Sequence, residues 1–440
     1  MAAHINCRTS CSSKFLLCGA LIVTQVARSA PSGGISPLAQ SRSFSTRLTK
    51  PRIGPLPEQG RTEAHRQMLA ARPDFNIYKT MARHPELYSR WSGLGRFLLN
   101  GSGLPARHRE MLMLRMGWLC QSEYEWAQHA RIATSSAGMT DQEIHRIAEG
   151  PAAPGWTDFE RYLLRMVDEL RYDAMVGDTT WGALRTEYSG QQMMEALFTA
   201  AQYQLVSMAL NSLGVQLDPG LRHRLPQDLP LPPLAGQATG ARLSTPRIPP
   251  LGPEQWTPQQ RELIAPQIRP DGSVLNLYAT TVQHPLLHSP HASFGAYLRQ
   301  ETSLPPRTRE SLIMRTAFLI GAEYEWAHHV EYSRAAGLTD GEIARIAAGP
   351  DAAGWDEESR AVLRAADELR REAFITNRTW GILAKRYDAK QLIEIVFTVG
   401  GYAMTGLAIN SFGVQLEPGY PAFPRAQRKV VSSRGASRGA

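Results

Sequence analysis

Two matched stretches of this 440-residue chain bring two carboxylates and an imidazole into one neighbourhood. In the first, a helix beginning at Pro105 carries Glu110, and a second helix beginning near Ser122 carries Glu125 and His129. In the second, Glu310, Glu325 and His329 stand at the corresponding places. Side chains four apart share a helix face, so Glu125 projects with His129 and Glu325 with His329. A carboxylate raises the basicity of a neighbouring imidazole and fixes its tautomer, and a further carboxylate supplies an acid or base partner. The chemistry that follows is proton transfer.

Blander roles compete for the same residues. Ser122 and Glu125 form a capping-box pattern at the start of their helix, which would occupy Glu125 structurally. Ala322 lacks the hydroxyl while Glu325 remains, although an acid in a first turn also suits the helix dipole. Glu110 has Arg107, Arg109 and Arg115 as alternative partners. Glu110, Glu125 and His129 also offer oxygen and nitrogen donors to a metal, but three per site is a thin set. The further histidines found in both stretches, His84 and His284, precede proline and read as helix starts. No metal and no organic cofactor is assigned.

These residues sit in a long internal repeat. Pro51-Arg52-Ile53 returns as Pro246-Arg247-Ile248, Glu123-Tyr124-Glu125-Trp126-Ala127 as Glu323-Tyr324-Glu325-Trp326-Ala327, and Asn211-Ser212 with Gly214-Val215-Gln216-Leu217 as Asn410-Ser411 with Gly413-Val414-Gln415-Leu416. The spacing is 200 residues from His84 to His129 and 199 from Gly138 onward. The chain therefore divides into copy one (49–222), a Pro-rich extended linker (223–243) and copy two (244–420). Within each copy apolar residues recur three and four apart without strand alternation, which predicts an all-α protein with about seven or eight helices per copy. Thr140 with Glu143 and Thr339 with Glu342 are capping boxes, and Asp178, Asn377, Ser189 and Asp388 are expected N-caps.

The formal charge of +8 sits at the ends, with four basic and no acidic residues in 1–44 and five basic and no acidic residues in 421–440. The body between is close to neutral and offers no footprint for a nucleic-acid backbone. Residues 421–440 are expected to form a disordered basic tail. Cys7, Cys11, Cys18 and Cys120 make no disulfide framework. The longest apolar candidate, Phe15 to Ala27, is too short to span a bilayer, so no membrane partner is expected. Residues 1–48, Ser-rich and without acids, read as a mitochondrial targeting segment with Arg42-Ser43-Phe44-Ser45 as a processing site, against the alternatives of a secretory signal or a cytoplasmic protein with an extension.

The string from Arg107 to Ile132, the approach to it, and the closing Asn-Ser-x-Gly-Val-Gln-Leu resemble the carboxymuconolactone decarboxylase-like superfamily, which includes the alkylhydroperoxidase-D-like proteins, over nearly all of both copies. In the peroxidase branch the pattern is Glu, then Cys-x-x-Cys, then His, and it falls here on Glu110, Ser122, Glu125 and His129, and on Glu310, Ala322, Glu325 and His329. Neither copy can form the redox disulfide, and Cys120, two positions early, is Ile320 in copy two. The resemblance implies the non-redox branch: a cofactor-independent decarboxylase, or a related isomerase or lactone hydrolase, acting on a small oxygenated carboxylic acid or lactone. His129 and His329 would be general acid or base, Glu125 and Glu325 would orient them, and Glu110 and Glu310 would be second proton-transfer groups. The alternatives are a peroxidase, disfavoured without thiols, and a non-catalytic helical scaffold. The resemblance also implies a small-molecule substrate, and either a trimer of two-domain chains or a pseudo-dimeric monomer.

Overall fold

The computed structural model describes residues 48–421, 423 and 424, and its long elements are all helices. Copy one contains α1 (Glu63–Ala70), α2 (Asn76–Met81), α3 (Pro85–Arg96), α4 (Ala106–Leu119), α5 (Glu123–Ser136), α6 (Asp141–Glu149), α7 (Asp158–Tyr172), α8 (Asp178–Leu184) and α9 (Gly190–Leu213). Copy two repeats the order as α10 (Pro258–Ile264), α11 (Asn276–Thr281), α12 (Pro285–Gln300), α13 (Pro306–Leu319), α14 (Glu323–Ala335), α15 (Asp340–Ala348), α16 (Glu357–Glu372), α17 (Asn377–Leu383) and α18 (Ala389–Phe412). Nine α-helices per copy among these residues exceed the number legible in the periodicity because α2 and α8, with six and seven residues, are too short to display one. The targeting segment and most of the basic tail lie outside the described residues.

Local chemistry starts each helix. Thr140 and Thr339 accept from the amides of Glu143 and Glu342, whose carboxylates accept in return, and Ser189 and Asp388 cap α9 and α18. Asp178 and Asn377 are not N-caps: Gly177 and Thr376 hold those positions, one residue earlier. Their side chains instead accept from Arg247 (2.5 Å) and Arg52 (2.6 Å), which come from the segment leading into the other copy.

The repeat boundary is not a packing boundary. Both copies share one hydrophobic core, centred on α9 and α18, whose residues are buried nearly all round. The α18 helix is long and apolar enough by composition to cross a membrane, with a mean hydropathy of 1.7, which the sequence reading overlooked; 94% of that window is buried inside the protein, as a core helix requires. The two central helices cross so closely at Gly400 that an added Cβ would lie 2.7 Å from Cγ and 3.2 Å from Cα of Leu205. Gly400→Ala is therefore expected to destabilise the fold by about 1–3 kcal/mol, read from urea unfolding.

Contacts between the copies come in reciprocal pairs. The Arg171 guanidinium donates to the Arg370 carbonyl at 2.6 Å, and Arg370 returns the bond to Arg171 at 2.6 Å. Asn211 donates to the carbonyl of Ala373 and Asn410 to that of Ala174, both at 3.1 Å. Ala373 and Ala174 have left-handed φ values of 52° and 55°, a conformation costly for alanine that these cross-copy bonds help to hold. His84 and His284 do precede the first turn of α3 and α12, but neither caps it. Each reaches the central helix of the other copy, at Glu394 (3.0 Å) and Glu195 (2.8 Å).

Candidate active site

The site is built by folding α5 back on α4. Cys120, Gln121 and Ser122 make the turn, with Gln121 at φ 50° and its counterpart Gly321 at φ 60°. The reversal sets His129 against Glu110, nineteen residues earlier. Arg115 fixes the inner end of α4. Its guanidinium makes a fork onto Asp168 of α7 at 2.7 and 2.9 Å and donates to the carbonyls of Ile147 and Ala148 at the end of α6. Arg315 repeats the clamp with Asp367, Ile346 and Ala347. Arg107 is engaged by Glu143 and Glu160, which leaves Glu110 to the histidine.

The capping-box reading of Glu125 is corrected by this geometry. Ser122 makes no side-chain cap, and its hydroxyl is buried without a hydrogen-bond partner. Glu125 turns inward instead. His129 lies between two carboxylates, with Nδ1 2.7 Å from Glu110 Oε2 and Nε2 3.0 Å from Glu125 Oε1. Burial alone would push the imidazole toward neutrality, but the charges of Glu110 and Glu125 outweigh it and hold its pKa up at about 10. At neutral pH it is an imidazolium with both N–H groups engaged. Because the carboxylates occupy opposite ring nitrogens, the trio does not converge on one point as metal ligands would, and among the described residues no cluster of three His, Cys, Asp or Glu does.

A cavity of about 360 Å³ opens beside this chain, within the range of small-molecule pockets. Glu125 and His129 line it together with Tyr78, Tyr124, Tyr203 and Arg72. Tyr203 of α9 packs edge-on against the imidazole at 4.8 Å. Glu110 does not line the cavity: it is 1% exposed, behind His129. The two carboxylates thus stand in the reverse order to that expected, with Glu125 at the cavity wall and Glu110 on the far side of the imidazole.

Copy two holds a matching cavity of about 360 Å³ with an altered chain. His329 Nδ1 meets Glu310 Oε2 at 2.7 Å, and Glu310 Oε1 also receives Arg309 at 3.3 Å. Glu325 lines the cavity but makes no ion pair with His329; its Oε2 is buried without a partner, and burial holds its pKa well above the usual carboxylate range. Glu110, Glu125 and His129 are therefore linked in series, whereas only Glu310 and His329 are linked in copy two.

Sequence reasoning missed the residue that ties the closing motif to the site. Asp218, just after Gln216-Leu217, accepts from Tyr124 (2.5 Å), Gln128 (2.8 Å) and the amide of Asn76 at the start of α2. Glu417 does the same for Tyr324, His328 and Asn276. The recurrence of an acid directly after both closing motifs was the available signal.

Residues 85–169 and 291–368 match the model of the Carboxymuconolactone decarboxylase family. The first match runs from α3 into α7 and the second from α12 into α16, so each takes in one complete Glu/Glu/His set. No curated protein matches the chain. An all-helical architecture, two successive family matches and one reciprocal set of contacts agree: the chain is a tandem duplication of a carboxymuconolactone decarboxylase-like domain.

Proposed function

We propose that the protein is a cofactor-independent lyase that decarboxylates a small oxygenated carboxylic acid or lactone, with the same relay serving a related isomerisation or lactone opening. The observation that carries this reading is the unbroken series Glu110, His129, Glu125, ending at the wall of a cavity. When a carboxylate beside a lactone carbonyl leaves as carbon dioxide, the electron pair of the broken C–C bond passes into an enolate. That carbon must then receive a proton. His129, a cation at neutral pH, stabilises the developing charge and passes its Nε2 proton to Glu125, which delivers it to carbon; the ring regains a proton from solvent once carbon dioxide has left. Glu110 holds Nδ1–H and keeps the ring aligned.

The test is turnover of a carboxylated muconolactone in D2O. Carbon dioxide release with one deuterium on the carbon that lost it is expected, and Glu125→Gln should lose both. Release that persists in Glu125→Gln, or no release by the wild-type protein, overturns the reading. A thiol peroxidase is not supported, since Cys120 is buried with its Sγ 3.7 Å from Met116 Sδ and does not line the cavity. Hydroperoxide consumption with a thiol reductant is expected at the protein-free rate, unchanged by Cys120→Ser.

A further inference from the structure

The two cavities have equal volumes but different inner walls. Arg72 lines the first and Arg269 the second, each heading an Arg-Pro-Asp sequence, so these arginines do not distinguish them. Several matched positions do, and the exposed Arg96 of the first cavity has only Ala296 as its counterpart; four of the differences, lying at partly or fully buried positions, bear on the ligand. Trp91, Leu99, Gln202 and Val206 of the first cavity are replaced by His291, Arg299, Gly401 and Thr405 of the second.

Arg299 is a partly buried guanidinium with one hydrogen bond, to the phenol of Tyr278 at 3.1 Å, and no carboxylate within ion-pair distance among the described residues. Four of its five N–H donors are uncommitted where water is scarce, an arrangement that favours an anion. His291, 3% exposed, contacts Thr405 Oγ1 through Nε2 at 3.1 Å, and that hydroxyl donates to the Gly401 carbonyl. Nε2 therefore carries the proton, and Nδ1 is a buried acceptor with no partner. Burial keeps this imidazole neutral, with its pKa lowered to about 3. Tyr278, Tyr324, Tyr402 and Phe294 supply aromatic walls suited to an organic body. At the same places the first cavity has an indole, a leucine and the Gln202 amide, whose oxygen and nitrogen are both unpaired.

We propose that the two cavities recognise different ligands, and that the second is a site for a small hydroxylated organic carboxylate, its carboxylate on Arg299 and its hydroxyl donating to His291. The inference takes from the proposed function only that the cavities bind small molecules. Binding is read without turnover, so a failed lyase assay leaves it standing.

Calorimetric titration with 4-hydroxybenzoate, its neutral analogue 4-hydroxybenzamide, and inorganic phosphate tests it. The expected result is one tight hydroxybenzoate site per chain, at least tenfold weaker binding of the amide and of phosphate, and at least a tenfold loss in Arg299→Leu. Trp91→His combined with Leu99→Arg, which places both recognising groups in the first cavity, should raise the tight sites from one to two per chain, and this gain does not depend on Arg299→Leu folding well. No binding, two equal wild-type sites, equal affinity for the amide or phosphate, or full affinity in Arg299→Leu overturns the proposal. So does a stoichiometry still at one in a Trp91→His, Leu99→Arg protein of normal thermal stability.

Discussion

Replacing His129 and His329 together by Gln is expected to lower turnover of a carboxylated muconolactone by about 10²- to 10⁴-fold, the range a positioned acid–base group contributes. Glutamine keeps polar contact with both carboxylates but has neither a positive charge nor a proton to pass to Glu125. The double replacement leaves Glu110 and Glu125 near one another with no cation between, so both charge stabilisation and reprotonation are lost. The pH dependence has a definite sign. The folded pKa of His129 lies above the ordinary value of about 6.5, so the ion pairs add stability fully below that value and lose it as pH rises through about 10. Turnover should fall over the same alkaline window in the wild type. Thermal unfolding at pH 6 and pH 10 should accordingly show a larger drop for the wild type than for the His129→Gln protein. Steady-state rates within twofold of wild type in the double variant would remove the histidines from the chemistry.

The second large effect is on stability. Arg115→Met should cost about 3 kcal/mol in urea unfolding, because Asp168 and two carbonyls at the end of α6 lose a guanidinium that serves all three. That figure is at the lower end for a broken buried pair, since Asp168 keeps 22% of its side chain in contact with solvent. Arg315→Met should act alike in copy two. Because one core runs through both copies, either substitution should shift a single cooperative transition. Two separate transitions, only one of them moved, would contradict the shared core.

The repeat, its helices and most of its caps were legible because they rest on local chemistry: Thr140 with Glu143, or Ser189 before α9, announce themselves within four residues. The trio of Glu110, Glu125 and His129 was legible as a set because helical spacing fixes which face carries it. Its internal order was not. Whether Glu125 caps α5 or faces His129 depends on the turn at Gln121 and on how α4 lies against α5, a tertiary matter the local pattern of Ser122 and Glu125 misreports. The same holds for His84 and His284, whose sequence neighbours suggest helix starts while their partners, Glu394 and Glu195, come from the other copy. Composition alone also failed for α18: an apolar helix buried against α9 has the same sequence signature as one bathed in lipid.

The charge state of one imidazole bears most directly on the mechanism. In ¹⁵N NMR of the whole protein, with the His129 ring assigned by difference from His129→Gln, both ring nitrogens should carry protons from pH 6 to pH 9 and begin to lose one near pH 10. A ring already neutral at pH 7, or titrating near 6.5, would show that Glu110 and Glu125 do not hold a proton there, and the relay would have nothing to deliver.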